Sequence, residues 1–533
     1  MKDVQVLIIG AGPIGLTAAI LLKQQGIDVL VVDRKEAFDT HPRARFLDSC
    51  TLELFRQMGV ADAVEATGIG PAWTETVKCF TTLSEEPIAD VPSPEFHSVA
   101  RPLTPQVPVM SSQDLVEPIL NKRARALGVK VKLSQTFKSL AEVENGCVVD
   151  LDDQTLGEPY AVFAEYVIGC DGGNSRVRAS IGCQLEGEVR DTFYRDVLFH
   201  ADLDPWITDR GNQASLLWVA HGKGSGTYQP LDGKQRFRAQ IAGLEPSTEY
   251  DDDFFKDWIK ASLGTEVDLP IEIFSKLKWR VSSRLANQFG VGRVFLAGDA
   301  AHLFAPTGGM GMNTAFAGAR NLAWKLAYVL KQYAPRSILD SYHSEWKPQA
   351  LWRSEVALEN HDHITRVYRA HFSGGDLESA LSRFQQYTDY PGAIFGYEIE
   401  SDLIQQDSKP APRVDNRIRQ HIPVVRSGRR LPHIWLDKDQ TESVFDYCGV
   451  EYCVLVGPEA TDEWRKQIEK ITAGGLPLRR VDLTAAQITG SPLADQAVVI
   501  VRPDLIVAAR VGVGETPVPE RVLDGVLPFA EAG

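Results

Sequence analysis

The pattern of apolar and polar residues at the start of the chain predicts a strand, a glycine-rich turn, a helix and a second strand. Val4 to Ile9 is apolar and rich in β-branched residues, as a buried strand is. Leu16 to Lys23 has helical composition, and Asp28 to Val32 is a second short apolar run. Because the segment from Gly10 to Gly15 (G-A-G-P-I-G) lies between the first strand and the helix, it predicts a tight βα turn.

The glycine spacing in this turn meets the requirements of a bound dinucleotide. Gly10 permits the tight turn, Gly12 lets a pyrophosphate approach the backbone, and Gly15 lets the helix pack closely on the strand. The helix N-terminus offers free N–H groups to phosphates, and Asp33, after the second strand, can accept hydrogen bonds from a ribose diol. An ordinary βα turn is the alternative, and the complete strand–turn–helix–acid context favours dinucleotide binding.

Two later strands also end on polar turns. The apolar run from Tyr166 to Cys170 is followed by Asp171 and a Gly-Gly-Asn-Ser-Arg turn, which by itself indicates only a loop. Another apolar strand ends on Asp299, an acceptor for sugar-like hydroxyls. A glycine-rich loop from Pro306 to Asn313 then precedes a predicted helix from Thr314 to about Leu330. The N–H groups at the start of that helix can hold an electron-rich carbonyl.

The rest of the pattern predicts further helices and sheets. Residues 185–285 alternate apolar and polar positions, which indicates an antiparallel sheet. From about residue 428 the pattern changes to strands that alternate with helices. The shorter predicted elements are helices at Ser49–Met58 and Gln113–Leu127, strands of a meander at Val129–Val131 and Cys147–Leu151, and a hairpin at Val498–Arg510.

Composition and charge exclude several partners. The net charge of −15 at pH 7 argues against nucleic acid, because phosphate binding depends on lysine and arginine. No stretch is long and apolar enough to span a membrane, and Gly10, Gly12 and Pro13 interrupt the uncharged N-terminal run, so a signal peptide is not expected. The seven cysteines form no C-x-x-C pair and no zinc-like cluster. We therefore expect reduced thiols, no metal site and a cytoplasmic protein.

Three motifs in this order, at Gly10–Gly15, Asp171 and Asp299, resemble those of the FAD-dependent aromatic-ring hydroxylases, the single-component flavoprotein monooxygenases. The resemblance covers about residues 1–365 at the level of motifs. It points to the branch that contains phenol, chlorophenol and hydroxyphenylpropionate hydroxylases and aromatic polyketide hydroxylases. That branch has a C-terminal extension, and Ser427 to His433 resembles the start of it.

The resemblance implies an α/β fold with three domains: a Rossmann-like FAD-binding domain, an antiparallel β-sheet substrate domain and a C-terminal thioredoxin-like domain. The implied boundaries are residues 1–70, 111–184 and 286–365 for the FAD-binding domain, and residues 71–110 and 185–285 for the substrate domain. Residues 366–427 are expected to form a helical or irregular linker, and residues 428–533 the thioredoxin-like domain. Without C-x-x-C this last domain is expected to be redox-inert and to serve packing or dimerisation.

The resemblance also implies the cofactor contacts. The implied FAD-contacting residues are Gly10, Gly12, Gly15, Asp33, Arg34, Arg43, Gln113, Asp171, Asp299, Pro306, Gly311, Met312 and Asn313. Among them, Asp33 would bind the adenosine ribose and Asp299 the ribitol. The residues from Gly311 to Asn313 would meet the pyrimidine edge of the isoalloxazine, and Asp171 would support the cofactor and bear on the nicotinamide nucleotide.

Four residues are predicted to act on the substrate: Arg45, Pro306, Trp218 and Arg238. Pro306 would lie beside both flavin and substrate. Arg45 occupies a position that faces the substrate in this branch and that holds an Asp base in yeast-type phenol hydroxylase, so no base is implied here. A cationic Arg45 can still stabilise a phenolate. Trp218 and Arg238 lie on predicted strands of the substrate sheet, where an ordinary core or surface position is the alternative.

The implied function is insertion of one oxygen atom from O2 into a phenolic or related aromatic ring, through a flavin C4a-hydroperoxide. NAD(P)H would reduce FAD. Because no second G-x-G-x-x-G follows a strand, NAD(P)H is expected to dock transiently while the flavin moves to meet it. The expected partners are a small aromatic substrate, O2 and NAD(P)H, and the expected assembly is a homodimer.

Other interpretations stay open. The same frame supports epoxidation, Baeyer–Villiger oxygenation or halogenation of an aromatic or polyketide compound, although the W-x-W-x-I-P run of tryptophan halogenases is absent. A non-catalytic flavin-binding module is the second alternative, and the intact loop from Pro306 to Asn313 argues against it. The substrate, the hydroxylated ring position and the choice between NADH and NADPH are left open by the residues.

Overall fold

The described strands form two large sheets, one smaller sheet and a two-stranded ribbon. The computed structural model describes residues 2–38, 40–94, 100–407, 410–473 and 476–528. Residues 95–99 of the predicted substrate domain, 408–409 of the predicted linker, and 474–475 and 529–533 of the C-terminal domain lie outside the described residues.

The strands are β1 (Lys2–Ile9), β2 (Val29–Val32), β3 (Phe46–Leu47), β4 (Thr76–Phe80), β5 (Ala89–Pro92), β6 (Val109–Met110), β7 (Lys130–Lys132), β8 (Gln135–Val143), β9 (Gly146–Asp153), β10 (Glu158–Gly169), β11 (Leu185–His200), β12 (Leu216–His221), β13 (Gly224–Pro230), β14 (Arg236–Ala242), β15 (Glu272–Ala286), β16 (Gly290–Val291), β17 (Val294–Leu296), β18 (His302–Leu303), β19 (Tyr452–Val456), β20 (Leu478–Asp482), β21 (Gln496–Val501) and β22 (Val507–Gly512). The helices are α1 (Pro13–Gln24), α2 (Ser49–Met58), α3 (Ala61–Glu65), α4 (Gln113–Ala126), α5 (Arg176–Ser180), α6 (Asp252–Leu263), α7 (Met310–Leu330), α8 (Ser341–Ser373), α9 (Leu377–Phe384), α10 (Pro391–Phe395), α11 (Asp462–Ala473), α12 (Ala485–Ile488) and α13 (Pro519–Val526).

The first sheet contains the predicted N-terminal βαβ unit, in which β1 and β2 are parallel neighbours joined through α1. Its order is β16-β17-β10-β1-β2-β7, and the strands from β17 to β7 run parallel. Val6 to Ile9 of β1 are buried, and α1 packs against α4 and α7. The prediction that 129–131 belongs to a meander is wrong, because β7 pairs in parallel with β2 at the sheet edge. The antiparallel meander is formed by β8, β9 and β10.

The second sheet has the order β18-β15-β11-β14-β13-β12-β4-β5 and confirms the predicted antiparallel region. It is antiparallel except where β12 pairs in parallel with β4. On β14, Phe237, Ala239 and Ile241 pack with Trp258 of α6 in one apolar cluster. The alternate residues Arg238 and Gln240 point to the opposite face and line a large cavity.

Helix α6 was not predicted, although its ends carry ordinary helix signals. Asp251 caps the helix by accepting a hydrogen bond from the Phe254 N–H at 2.9 Å, and Gly264 ends it at φ +79°. The predicted helix at 49–58 is confirmed as α2. Asp48 caps α2 by accepting from the Thr51 N–H at 2.8 Å, and the expected stop, Gly59, has φ +72°.

The C-terminal sheet has the order β20-β19-β21-β22. Strands β19 and β20 are parallel and are joined through α11, while β21 is antiparallel to β19 and to β22. This arrangement matches the thioredoxin-like domain that the resemblance implied. Cys448 and Cys453 are both buried here, and a hydrogen bond from Cys448 together with burial raises the pKa of the Cys453 thiol well above its usual value.

An ionic cluster (Lys325, Glu345, Arg502 and Asp504) joins this C-terminal sheet to α7 and α8. Lys325 lies 2.8 Å from Glu345, and Arg502 lies 2.7 Å from Glu345 and 2.6 Å from Asp504. Burial alone would raise the pKa of Glu345, but the Arg502 guanidinium and the Lys325 ammonium outweigh it and hold the pKa well below its usual range. The C-terminal sheet is therefore attached through charges that solvent does not reach.

The long helix α8 leads into the predicted linker, which contains α9, α10 and irregular chain. No helix in the described part of the chain combines the length and apolar character needed to cross a bilayer.

Candidate active site

One cavity of about 650 Å³ lies between the carboxyl ends of the first sheet and the polar face of the second. Its lining includes Gly10 and Asp33 from the first sheet, Gln229 and Arg238 from the second, and Pro306 from the glycine-rich loop. Carboxyl ends of parallel strands are where α/β folds bind ligands. The cavity therefore brings residues of all three sequence motifs together with residues of the second sheet.

The glycines of the first turn leave a space that a phosphate fits. Gly10 has φ +117°, and a Cβ on it would lie 2.2 Å from the Cys170 carbonyl oxygen. A Cβ on Gly15 would lie 2.0 Å from the Gly10 carbonyl oxygen. A Cβ on Gly12, in contrast, would meet no atom within 4 Å. Gly12 also precedes α1 without a side-chain cap, so the first N–H groups of the helix are open to an anionic group in the cavity.

Asp33 is held in place by backbone hydrogen bonds. Its carboxylate accepts from the Ala11 N–H at 2.7 Å and from the Lys35 N–H at 2.9 Å. These bonds fix the carboxylate at the cavity beside the glycine turn, with acceptor capacity left for a ribose diol. Arg34, next along the chain, is exposed and also lines the cavity.

Asp171 lines the cavity, but its carboxylate is occupied by its own turn. It accepts hydrogen bonds from the Ser175 hydroxyl and from the N–H groups of Arg176 at 2.7 Å and Val177 at 3.1 Å. Arg178 then donates to the Gly173 carbonyl at 2.8 Å and to the Ala300 carbonyl at 3.0 Å. The Asp171 turn thereby supports the neighbouring turn that contains Asp299.

Asp299 and the glycine-rich loop form the opposite wall of the cofactor end. Asp299 is exposed to the cavity, and desolvation in this enclosed site raises the pKa of its carboxyl, while the charge of Arg43 opposes that rise. Pro306, Gly311 and Met312, which are predicted FAD contacts, line the cavity. Helix α7 begins after Gly309, at φ +63° and without a side-chain cap, so its first N–H groups also face a possible ligand.

Asn313, a predicted flavin contact, is not among the residues that line the cavity. Its side-chain amide donates to the carbonyls of Phe46 at 3.1 Å and Gly309 at 2.8 Å. Its amide oxygen accepts from the Asp48 N–H at 3.0 Å and the Thr51 hydroxyl at 2.8 Å. The side chain is therefore saturated by protein and ties the glycine-rich loop to the start of α2.

Arg43 and Gln113 both line the cavity between its two ends. The Gln113 N–H donates to the Ala44 carbonyl at 2.8 Å, and its side-chain amide donates to Glu117 at 2.6 Å. The first of these bonds fixes the loop around residues 43–45 against the start of α4. Arg43 is exposed to the cavity, and its carbonyl accepts a hydrogen bond from Arg238 at 3.1 Å.

Arg45 is a buried cation whose protein partners are all neutral. Its guanidinium donates to the Gln229 side-chain oxygen at 3.2 Å, to the Pro230 carbonyl at 3.3 Å and to the Ser215 carbonyl. The side chain is only 8% exposed and lines the cavity. Burial lowers the pKa of Arg45 to about 9, with Tyr387 opposing the shift and the charge of Arg238 contributing to it. No carboxylate of the described residues forms an ion pair with it.

Arg238 is the neighbouring cation, but its charge is matched. It donates to both carboxylate oxygens of Asp196, at 2.7 and 2.8 Å, and His41 lies 3.2 Å from the same carboxylate. Burial alone would raise the pKa of Asp196, but Arg238 and His41 outweigh it and lower the pKa to about 2. Gln240 bridges Asp196 to Gln229, so Arg238 belongs to a closed hydrogen-bond network at the top of the cavity.

Trp218 does not line the cavity, so its predicted substrate contact finds no geometric support. It packs in an apolar cluster with Val77, Ile364 and Phe384. The physical reason is its position along β12, since side chains two positions apart share a face but meet different neighbours along the strand. Cluster residues Leu216 and Trp218 share a face, but of these two only Leu216, nearer the strand start, reaches the cavity.

The sequence analysis missed a part of the cavity wall that comes from the predicted linker. Tyr387, Thr388 and Tyr390 all line the cavity. They lie between α9 and α10, where Gln385–Tyr387 forms a short 3-10 helix. The two tyrosines just before Pro391 were a possible signal in the sequence. Gln229 and Gln240 were also missed, although each alternates with core residues on its strand.

Two protein families match this chain. Residues 3–353 match the family described as FAD binding domain, and residues 425–527 match the one described as aromatic-ring hydroxylase, C-terminal. The chain belongs to the FAD-binding aromatic-ring hydroxylases. It is a flavoprotein monooxygenase whose cofactor is FAD, and the open cradle at Gly12 and the two uncapped helix N-termini fit that cofactor.

Individual relatives match over nearly the whole chain. Tetracenomycin B2 monooxygenase-dioxygenase from Streptomyces olivaceus is 29% identical, covering 98% of this chain and 98% of the relative. Aklavinone 12-hydroxylase RdmE from Streptomyces purpurascens is 30% identical, covering 96% and 92%. A 4-methyl-5-nitrocatechol 5-monooxygenase from a Burkholderia species is 28% identical, covering 95% and 94%.

Solved structures agree over the same length. The flavin-dependent monooxygenase PieE, in complex with FAD and substrate, matches with a TM-score of 0.89 at 25% identity, over 98% of this chain and 99% of that one. A ternary complex of aklavinone-11 hydroxylase with FAD and aklavinone matches with a TM-score of 0.85 at 29% identity, over 99% of each chain. These matches confirm the predicted fold class.

Proposed function

We propose that this flavoprotein hydroxylates a phenolic or closely related aromatic ring and consumes O2 and NAD(P)H. The observation that carries the proposal is the single cavity that joins the FAD-fitting turns to the buried cation Arg45. Relatives named for a nitrocatechol and for 2,4-dichlorophenol act on phenols, which supports this choice of substrate class.

FAD supplies the reduction and oxygen-activating chemistry when it is bound. Gly12 and the N-terminus of α1 would hold its pyrophosphate, Asp33 its adenosine ribose and Asp299 its ribitol. The open N–H groups at the start of α7 would face the electron-rich edge of the ring system. Arg43 and Gln113 lie between these groups and the second sheet, where they would contact the nucleotide.

Arg45 would bind the substrate through an ionised ring oxygen. A buried cation without a carboxylate partner is costly, and an anionic ligand offsets that cost. Since the pKa of Arg45 is about 9, the guanidinium stays charged at neutral pH. An ionised phenol is more nucleophilic at its ring carbons, so the same contact that binds the substrate would also activate it. Arg238, paired with Asp196, would hold the network around Arg45 in place.

The bound ring system would need two environments during one turnover. Reduction needs access for a nicotinamide, and the sequence contains no second dinucleotide turn to bring one from a separate site. Oxygen transfer needs a pocket that excludes water. We therefore propose that the loop from Pro306 to Gly309 adjusts between these states. Two of its residues, Gly308 and Gly309, have φ values of +80° and +63°, which glycine adopts without strain.

A paired substrate screen tests the proposed function. Phenols, catechols, nitrophenols and polycyclic phenols are each compared with their O-methyl ethers for stimulated NAD(P)H oxidation. The masses of the products are then measured by mass spectrometry after turnover under isotopically labelled O2. The expected result is stimulation by the free phenol and a product that gains one labelled oxygen as a hydroxyl. A ring-expanded or epoxide product would favour the alternative oxygenations. No turnover with any compound, despite bound FAD, would contradict the proposal.

We also propose a homodimer in the cytoplasm. Light scattering of the purified protein tests the first part, with a single chain mass as the contrary result. The seven cysteines are all unpaired in the structure, which suits a reducing compartment. Loss of activity in reducing buffer would contradict the second part.

A further inference from the structure

The cavity-facing side of β13 and β14 carries two side-chain amides that connect a buried carboxylate to a buried cation. Gln229 of β13 and Gln240 of β14 both line the cavity. The Gln229 amide nitrogen donates to the Gln240 side-chain oxygen at 2.8 Å, and the Gln240 amide nitrogen donates to Asp196 at 3.2 Å. At the other end, Nε of Arg45 donates to the Gln229 side-chain oxygen at 3.2 Å. Two neutral amides therefore lie between the fully buried Asp196 carboxylate and the Arg45 guanidinium.

The direction of this chain of amides is fixed at both ends. An ionised carboxylate only accepts hydrogen bonds, and a guanidinium only donates them. Because Asp196 accepts, Gln240 turns its amide nitrogen toward Asp196 and its oxygen toward Gln229. The Gln229 oxygen therefore points away from Gln240, and it accepts from Arg45 and, at 3.3 Å, from Arg238. Reversing either amide would set two acceptors or two donors against each other, so one orientation satisfies every group in the chain.

The neutral oxygen of Gln229 holds Arg45 in place and leaves its charge unmatched. A guanidinium has five N–H groups. Gln229 accepts from the one on Nε, and the carbonyls of Pro230 and Ser215 accept from one on each of the two terminal nitrogens. The remaining N–H of each terminal nitrogen has no acceptor among the described residues. A carboxylate at position 229 would instead match the charge of Arg45, as Asp196 matches that of Arg238.

We propose that Gln229 is a positioning residue that makes the cavity selective for a ligand with an anionic oxygen. It orients the guanidinium through a neutral acceptor, so the charge and two N–H groups of Arg45 are left for the ligand. Gln240 is a second positioning residue, because it determines which atom of the Gln229 amide faces Arg45. A neutral ligand of the same shape gains no charge-assisted hydrogen bond from this arrangement. The inference rests on the proposed function, in which Arg45 holds the ionised oxygen of the substrate.

Ligand affinity of the oxidised holoenzyme, measured through the change in flavin absorbance, tests the inference. The probes are a phenol that the enzyme turns over and the aniline that carries NH2 in place of its OH. Gln229→Glu should weaken binding of the phenol about a hundredfold and change binding of the aniline less than about threefold, because the added carboxylate matches the charge of Arg45. Gln288→Glu adds the same charge at an exposed position and should alter neither affinity.

A double-mutant cycle tests the chain of amides without adding a charge. Gln229→Leu and Gln240→Leu should each weaken binding of the phenol more than binding of the aniline. The double variant should lose no more phenol affinity than Gln229→Leu alone, because Gln240 acts through Gln229. The flavin spectrum shows whether each variant is folded, and the cycle decides alone if Gln229→Glu is not.

Four results would overturn the inference. They are additive losses in the cycle, an unchanged phenol affinity in Gln229→Glu, equal losses of phenol and aniline affinity in that variant, and the same loss in Gln288→Glu. If the unaltered enzyme hydroxylates a phenol while any of these results holds, the proposed function stands and only this inference fails. If it turns over no phenol, both fail.

Discussion

Removing the charge of Arg45 should raise the pKa at which a bound phenol ionises. The variant Arg45→Gln keeps a hydrogen-bond donor beside Gln229 and removes the positive charge, while Arg45→Lys keeps a charge on a different head group. Arg366→Gln serves as the control, since it removes the same charge from an exposed position on α8. Any general effect of net charge on the protein should appear in the control as well.

The size of the effect follows from the geometry of the site. A phenolate oxygen about 4 Å from a guanidinium gains about 4 kcal/mol at an effective dielectric constant of about 20. Since one pKa unit corresponds to about 1.4 kcal/mol, this charge alone lowers the pKa of the bound phenol by about three units. Desolvation of the phenolate opposes part of that gain. We therefore expect the pKa of the bound phenol to rise by about two units in Arg45→Gln.

The assay is a pH titration of a nitrophenol ligand bound to the holoenzyme. The absorbance of the ionised nitrophenol at each pH gives the pKa of the bound ligand. Activity in the unaltered enzyme should fall on the acid side as the bound phenol gains a proton. The value of kcat/KM should fall again on the alkaline side, because Arg45 of the free enzyme loses its proton near its pKa of about 9. Arg45→Lys should retain most of the acid-side behaviour. The same titration curve in Arg45→Gln and in the unaltered enzyme would refute the role of Arg45 as the substrate cation.

Three further outcomes follow from the structure. Gly12→Val should leave the apoprotein folded and weaken FAD binding at least tenfold, because the added atoms enter the open cradle. Gly15→Ala should instead lower the stability of the protein, because the added Cβ would contact the Gly10 carbonyl. Glu345→Gln should lower the free energy of unfolding by about 3–5 kcal/mol, because it leaves two buried cations, Lys325 and Arg502, with one carboxylate, Asp504, between them. Ending the chain at residue 427 should destabilise the remainder strongly, yet any folded fraction should bind FAD, since every cavity-lining residue precedes residue 391.

Flavin absorbance after gel filtration measures how much FAD each variant retains. Chemical unfolding of the apoprotein measures the free energy of unfolding. Equal FAD retention in Gly12→Val and in the unaltered chain would contradict the cradle. The Glu345 prediction also has a pH dependence. Because its pKa is depressed in the folded state, its contribution to stability is complete above the unfolded value of about 4.3 and is lost as the pH falls further. Glu345→Gln should lack that acid dependence. A truncated chain that is stable but colourless would contradict the third outcome.

The motifs were predictable because local chain geometry determines them. Gly10 and Gly15 have backbone neighbours within about 2 Å of an added Cβ, so no other residue type fits, and the spacing is visible in the sequence. Asp33 directly follows the last residue of β2, so its place at the carboxyl end of that strand could be predicted from the sequence. The same locality explains the confirmed helix α2, whose stop at Gly59 is a left-handed residue.

The substrate end was less predictable because it depends on contacts between distant segments. Trp218 and Leu216 lie on one strand, and only the curvature and edge of the sheet decide which of them reaches the cavity. Asn313 was assigned from its place in a motif, but its amide is taken up by Phe46 and Thr51, which lie more than 250 residues earlier in the chain. Tyr390 reaches the Gly308 carbonyl from a segment that has no periodic pattern at all.

The ionic cluster also has a consequence for how the chain folds during its synthesis. Lys325 and Glu345 leave the ribosome roughly 160 residues before Arg502, which at about 5–20 residues per second is a delay of about 8–30 s. During that interval the C-terminal sheet that packs on Trp324 and Tyr328 of α7 has not yet been synthesised. Nascent chains of this protein should therefore be held by chaperones until their last segment emerges. Slowed translation between codons 345 and 502 should lower the yield of native enzyme.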